Sequence, residues 1–328
     1  MMKAVLCDAY GPIDNLRIAD VPIPELKPGH VRIDIKAAGL NFPDILMIMG
    51  MYQASPQFPF IPGSELSGVV EAIGEGVTHL KVGDRVTASV PTGAFAEKIV
   101  IPAYTCLPLG NKLDFETASC FLITYGTAYH ALKDRAHIQE NESLLVLGAA
   151  GGVGQACLDL ARLMKVESIA VASTEEKLEL CRSYGASHTI NYRESELRQA
   201  IKGLNRPRKN VDVVFDPVGG KYSELALRSL AYGGRHLVIG FAAGKIPKIP
   251  LNLPLLKACQ IVGVFWGHFA QRFAKQAYKN HIQLIEWIHE GKLKPYIQKT
   301  FPLGEVKTAL KWIAARKVMG KVVLSMKD

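Results

Sequence analysis

The chain has 328 residues, of which 48% are hydrophobic and 21% charged; this balance supports a sizeable core, fits two domains of about 150 residues each and excludes whole-chain disorder. No apolar run reaches about 18 residues, which excludes an ordinary membrane-spanning helix, and Asp8 comes too early for a secretory signal, so a cytoplasmic location is expected. Lys and Arg number 39 against 30 Asp and Glu, a formal +9, but they are scattered; this reads as a solvated basic surface rather than a nucleic-acid track.

Short β-type runs stand at 31–35, 67–73 and 95–100, separated by turns such as Lys27-Pro28-Gly29 and Gly74-Glu75-Gly76. Many short strands at such spacing predict an antiparallel barrel or sandwich. From about residue 116 strands and helices alternate. Strands are predicted at 144–147, 169–173, 189–192, 211–216, 236–240 and 261–265, with helices near 153–164, 175–184, 194–202 and 221–230. Nearly all-apolar strands alternating with helices make a parallel sheet covered on both faces, and six of them fit a doubly wound nucleotide-binding domain. After Gly267, two helical stretches, a strand at 296–301, a helix near 303–316 and a strand at 321–325 break the alternation. The fold class is therefore α/β, with a β-rich domain from 1–120 and 268–328 and an inserted domain at 121–267.

The strand at 144–147 runs into Gly148-Ala149-Ala150-Gly151-Gly152-Val153-Gly154 and then an apolar helix. Glycines admit a pyrophosphate closely, and a helix N-terminus offers free N–H groups and a positive dipole end. Ending at Gly154 the motif reads A-x-G-x-x-G, with Ala149 in place of the usual first glycine; Ala150, Gly151, Gly152, Val153 and Gly154 are the candidate phosphate-binding residues. Alone, such a loop is also a plain tight turn; the six surrounding strands decide for a dinucleotide. About 20 residues further, where an acid usually holds the ribose 2′-hydroxyl of NAD, stand Ala172-Ser173-Thr174. Ser173, Lys177 and Tyr192-Arg193 offer hydroxyls and cations with no carboxylate at the strand tip, which favours the 2′-phosphate of NADPH over NADH. The six cysteines form no C-x-x-C pair, which excludes a zinc ribbon or dithiol motif and suits reduced core residues.

An ordered set of motifs carries a resemblance over essentially the whole chain. It comprises Ala37-Ala38-Gly39-Leu40-Asn41-Phe42-Pro43-Asp44, Gly50-Met51-Tyr52, Phe60-Ile61-Pro62-Gly63-Ser64-Glu65, Gly83-Asp84-Arg85-Val86 and Thr124-Tyr125-Gly126-Thr127-Ala128. The loop 149–154, Asp216-Pro217-Val218-Gly219-Gly220 and Gly263-Val264-Phe265-Trp266-Gly267 complete it. The chain resembles the medium-chain dehydrogenases/reductases and, within them, the zinc-free quinone oxidoreductase branch. The resemblance implies a GroES-like catalytic domain, a Rossmann domain that binds NADPH, and a homodimer joined through the last Rossmann strand. Zinc alcohol dehydrogenases carry Gly-His-Glu where this chain has Gly63-Ser64-Glu65, and a Cys where it has Asn41. The close set of four cysteines that holds their structural zinc is missing between Cys7 and Cys106. Zinc needs three or four protein ligands, so both zinc sites are expected to be lost. Hydrogen bonds alone must then polarise the acceptor, which suits quinones and α,β-unsaturated carbonyls better than alcohol oxidation.

The resemblance further implies a pocket between the domains, with Asn41, Tyr52, Ser64 and Thr127 near the nicotinamide. Tyr52 is the first choice to donate to the acceptor oxygen, against a tyrosine packed on its loop with the hydroxyl in solvent. Asn41 either orients nicotinamide or substrate, or satisfies loop backbone. Val218, Gly240, Phe241, Phe265, Trp266 and Gly267 are implied to approach the nicotinamide; Trp266 either stacks on it or belongs to the core. Two other functions fit the same residues: an enoyl-thioester reductase, whose CoA phosphate would suit the basic surface, and an NADPH-binding protein of the crystallin or RNA-binding kind with little turnover.

Overall fold

The computed structural model describes residues 1–327. The chain begins with β1 (Met2–Leu6), β2 (Arg17–Val21), β3 (His30–Leu40), α1 (Phe42–Ile48), β4 (Glu65–Ile73), β5 (Arg85–Ser89), β6 (Lys98–Pro102), β7 (Leu107–Pro108) and α2 (Phe115–Ala118). Next come α3 (Leu122–Tyr129), β8 (Ser143–Leu147), α4 (Gly152–Leu163), β9 (Glu167–Ala172), α5 (Glu175–Ser183), β10 (His188–Asn191) and α6 (Leu197–Gly203). β11 (Val211–Asp216), α7 (Lys221–Arg228), β12 (Leu230–Val238), α8 (Asn252–Lys257), β13 (Gln260–Gly263), α9 (Trp266–Arg272) and α10 (Ala274–His289) follow. β14 (Ile297–Pro302), α11 (Val306–Ala314) and β15 (Lys321–Ser325) come last.

Two compact units result: Met1–Ile123 with the chain from Pro295 onward, and Thr124–Lys294. The return expected at residue 268 thus falls at Pro295. The reason is side-chain packing: α10 buries Ala277, Leu284, Ile285 and Ile288. Within the second unit Lys133 Nζ donates to Asn280 Oδ1 at 3.0 Å, and Tyr129 meets Trp287 edge-on at 5.4 Å.

In the first unit, β1 and β2 form an antiparallel pair, and the remaining strands form one sheet in the order β14-β15-β3-β4-β5-β7, with β6 also on β3. The paired strands of the first 110 residues are antiparallel, as expected, while β14 and β15 from the C-terminal segment run parallel to each other, α11 connecting them. β3 is long enough to pair with β6 through residues 30–34 and with β15 through residues 37–40. That register sets Val322 opposite Leu40, so Lys321 arrives beside the end of β3. Alternating Val31, Ile33 and Ile35 point into a core shared with Leu66, Val70, Val86 and Phe95, as period-2 strands covered on one face require.

The second unit is a six-stranded sheet in the order β10-β9-β8-β11-β12-β13. Every neighbour pair is parallel. Strand order reverses between β8 and β11, the switch point at which such sheets take ligands. Strand interiors such as Leu144, Leu145, Val146, Val213, Val214 and Phe215 are fully buried, because helices lie on both faces. β10 ends at Asn191, leaving Tyr192 just outside it, and α6 begins at Leu197 behind a Glu196 cap. β13 stops at Gly263, and Phe265 becomes the N-cap residue of α9 rather than a strand residue.

Candidate active site

The predicted residues fall into two groups, one in each unit. In the second unit, β8 delivers the chain to Gly148 and α4 starts at Gly152 with Gly151 as N-cap. The first i→i−4 bond of α4 runs from Gln155 N to Gly151 O at 2.7 Å, so the N–H groups of Gly152, Val153 and Gly154 precede the helix ladder. Gly151, Gly152 and Val153 are half-buried, whereas Ala149, Ala150 and Gly154 are buried. A Cβ on Gly154 would lie 2.4 Å from Gly148 O and 2.8 Å from Ala149 Cα, so only glycine lets this helix sit so close to the strand. Ala149, by contrast, packs in the core and donates its N–H to Val171 O at 3.1 Å. The missing first glycine therefore costs the turn nothing.

At the tip of β9, Ser173 is buried and Thr174 caps α5, its hydroxyl accepting from Lys177 N. Glu175 and Glu179 both pair with Arg182 at 2.5 Å. Lys177 is half-buried; burial first, and then the nearby Arg193 charge, lower its ammonium from the usual lysine range. Tyr192 stacks at a tilt on Tyr222, ring centres 4.9 Å apart.

Over the ends of β11 and β12 two loops lie against each other. Asp216 Oδ1 accepts from Val218 N and Gly219 N at 2.9 and 2.8 Å, and its Oδ2 accepts from Ser223 Oγ at 2.5 Å and meets His236 Nε2 at 3.1 Å. Burial alone would raise this carboxyl, but these partners hold it below the usual range. Ala242 N and Ala243 N donate to Pro217 O and Val218 O, which brings Val218, Gly240 and Phe241 together. Trp266 is 8% exposed, packed on Gly126 and tilted over His281 at 5.6 Å, so its ring is core. Phe265 beside it is 53% exposed. Thr127 and Gly267 are half-buried.

The first unit builds its group from buried side chains. Gly63 has φ +96, and a Cβ there would meet the Phe95 ring at 2.4 Å; this left-handed glycine turns Ser64 toward α1. Ser64 Oγ lies 2.8 Å from Asp44 Oδ1, and Asn41 N donates to Asp44 Oδ2 at 2.7 Å. Lys321 Nζ donates to Leu40 O at 2.7 Å and to Asn41 Oδ1 at 2.6 Å, and stands 3.7 Å from Glu65 Oε2. Asn41 Nδ2 donates to the same Glu65 oxygen at 3.1 Å, while Ile123 N donates to Glu65 Oε1. Burial pushes the Glu65 carboxyl up against the pull of Lys321 and Asn41. The Asn41 amide is thus engaged at both ends inside the protein. Tyr52 is half-buried against the core of this unit, and burial, then Asp44, raise its hydroxyl above the usual range.

Three residues of this group were not singled out from sequence: Asp44, Glu65 and Lys321. Asp44 had a signal, since Asn41-Phe42-Pro43-Asp44 before an apolar run has capping-box spacing. Lys321 had none, being 281 positions from Leu40.

Comparison with known proteins agrees with this architecture. Residues 27–111 match the family described as "Alcohol dehydrogenase GroES-like domain" and residues 152–287 that described as "Zinc-binding dehydrogenase". Quinone oxidoreductase-like protein 2 of Bos taurus is 37% identical over 95% of this chain and 89% of its own length. A solved mycobacterial protein complexed with NADPH is 30% identical, covering 99% of this chain and 100% of its own, with a TM-score of 0.91. The Escherichia coli quinone oxidoreductase complexed with NADPH is 26% identical, covers 98% and 99% of the two chains and has a TM-score of 0.92. A GroES-like domain thus accompanies a Rossmann-type parallel sheet, and the chain belongs to the quinone oxidoreductase-like branch of the medium-chain dehydrogenases/reductases.

Proposed function

We propose that this protein is an NADPH-dependent reductase of quinones or other conjugated carbonyls that works without a metal. The observation that carries the reading is the glycine turn at α4 combined with the cationic tip of β9, where Lys177 and Arg193 crowd each other and no carboxylate ends the strand. The solved relatives complexed with NADPH support the same coenzyme. When bound, NADPH supplies a hydride. The N–H groups of Gly152, Val153 and Gly154 would hold its pyrophosphate. Ser173, Lys177, Tyr192 and Arg193 would hold the adenosine end and its 2′-phosphate, with Val218, Gly240, Phe241, Phe265 and Gly267 toward the nicotinamide. Trp266 has a packing role. Tyr52 donates to the acceptor oxygen, Thr127 lines the site, and Asn41 shapes it from within.

The metal-free part rests on the donor set in the first unit. Asn41 and Glu65 are taken up by Lys321, whose ammonium already supplies the positive charge. Burial raises the Cys120 thiol, which disfavours the thiolate a metal needs. Among the described residues, no group of three His, Cys, Asp or Glu is placed to hold a metal ion. We further propose a homodimer through β13, the sheet's edge, where Ile261 is 43% exposed and Leu255 and Leu256 of α8 are also exposed.

The experiment is a panel of quinones, enones and enoyl-CoA esters with the purified protein, followed at the nicotinamide absorbance. Rapid NADPH oxidation by a quinone or enone is expected. Tight NADPH binding without turnover would reject the reductase, enoyl-CoA preference would move the substrate class, and one zinc per chain in metal analysis would reject the metal-free mechanism. Sedimentation at micromolar concentration should give a dimer, and a monomer would reject the β13 interface.

A further inference from the structure

Building on the reductase reading, we propose that Asp44 stores the proton consumed in the reduction and passes it to the acceptor oxygen through the hydroxyl of Ser64. The buried cluster of the first unit holds two carboxyls, Asp44 and Glu65, against one ammonium, Lys321. A net charge in such a place is costly, so one carboxyl holds its proton to a higher pH than an exposed acid does. Lys321 stands 3.7 Å from Glu65, and among the described residues no ion pair joins it to Asp44. The proton therefore belongs to Asp44.

Asp44 is 2% exposed and touches the half-buried Ser64. Its Oδ2 is held by Asn41 N, and its Oδ1 lies 2.8 Å from Ser64 Oγ. Ser64 is half-buried, its backbone fixed by Val90 N and Ser89 Oγ donating to its carbonyl. With Asp44 protonated at Oδ1, the acid donates to Ser64 and the serine hydrogen turns outward. With Asp44 ionised, Ser64 donates inward and offers only a lone pair. One proton thus reverses the pair.

The groups facing Asp44 are Asn41 at the head of α1, Tyr52 after α1, Ser64 and Glu65 at β4, and Lys321 on β15. Burial pushes the Asp44 carboxyl to about 6 and Glu65 adds to the rise, while Ser64, Asn41 and Lys321 oppose it. That lies close to the operating range of a general acid.

The step balances. NADPH, when bound, would supply a hydride and so two electrons to the acceptor, whose oxygen then needs one proton. The Ser64 O–H bond breaks as the acceptor O–H bond forms. The Asp44 O–H bond breaks as the Ser64 O–H bond is restored. Asp44 remains as carboxylate and regains a proton from water through Ser64 after product departs.

Infrared titration of the nucleotide-free full chain should show a carboxyl changing near pH 6 that Asp44→Asn removes and Ser64→Ala shifts to higher pH. In NADPH-driven turnover, kcat should fall as pH rises through about 6, and Asp44→Asn should lower kcat about 10²-fold and abolish that fall with KM little changed. Ser64→Ala should lose a similar factor, and Ser64→Thr should restore most of it. An infrared titration unchanged in Asp44→Asn, or the wild-type pH profile retained in that variant, would overturn the relay. Absence of turnover with every acceptor would remove the reductase reading and the relay together, while the titration would still decide whether Asp44 holds the proton.

Discussion

The two units build their functional residues from different materials. The second presents backbone: a glycine turn, a helix mouth, and loops at residues 217–220 and 240–244 tied to each other by main-chain hydrogen bonds. The first presents side chains: Asn41, Asp44, Glu65 and Lys321, all buried and mutually bonded. A backbone site needs no charged side chain but is intolerant of an added carbon. A side-chain cluster is indifferent to small changes of volume at its rim but intolerant of a lost partner, because each remaining polar group is left dry.

The largest effect that separates the two is expected from Lys321→Met. It removes the ammonium beside Glu65 and the donor to Leu40 O and Asn41 Oδ1. Breaking a buried pair in this way costs about 3–5 kcal/mol, read from denaturant midpoints at neutral pH. A loss below about 1 kcal/mol would show that this cluster is not held by its charge.

Asp44→Asn sharpens the same contrast through pH. The folded-state carboxyl is raised from 3.8 to about 6, so its contribution to stability is fully present below about pH 4 and lost as pH rises through about 6. The linked free energy is roughly 3 kcal/mol. Wild-type protein should therefore lose stability across this window relative to Asp44→Asn. Parallel stability curves for the two proteins between pH 4 and 7.5 would place Asp44 in an ordinary, solvated setting.

The same contrast explains what could be read before the structure. The strand–glycine–helix order at 144–154 and the apolar strands are local patterns, and they gave the six parallel strands and the turn residues nearly in place. Ser173 and Lys177 are likewise close in sequence, so their proximity at the tip of β9 is a local pattern too. The cluster of the first unit was not. Asn41 and Ser64 were noticed, but the partner that decides their state, Lys321, reaches them only through the pairing of β15 with β3. Nothing in a lone lysine before Val322-Val323-Leu324 announces that register. The domain return was misplaced for a related reason. The breakdown of strand–helix alternation after Gly267 marks a change of rhythm, whereas the apolar stripe of α10 determines which core it joins.

On the backbone side, Gly154→Ala tests intolerance of one carbon. The added methyl meets main chain, Gly148 O at 2.4 Å and Ala149 Cα at 2.8 Å, so the turn must open. Overpacking of this kind costs about 1–3 kcal/mol, and NADPH affinity should fall with it because the N–H groups of α4 move. Unchanged affinity measured by fluorescence titration would detach the turn from coenzyme binding.

Lys177→Ala should have the smallest effect and the most specific one. Its ammonium is half-buried and lowered by burial and by Arg193, against the pull of Glu176. Glu175 and Glu179 of the same helix pair with Arg182. Removing the lysine should therefore leave the fold intact and weaken NADPH binding by about tenfold, near 1.4 kcal/mol, the scale of a single partly exposed charge-assisted contact. NADH, which lacks the 2′-phosphate, should bind as before. Because Arg193 remains, the preference should shrink rather than invert. Equal losses for the two coenzymes would mean that Lys177 supports α5 or the adenine and reads no phosphate, and the 2′-phosphate would then have to be held by Arg193 alone.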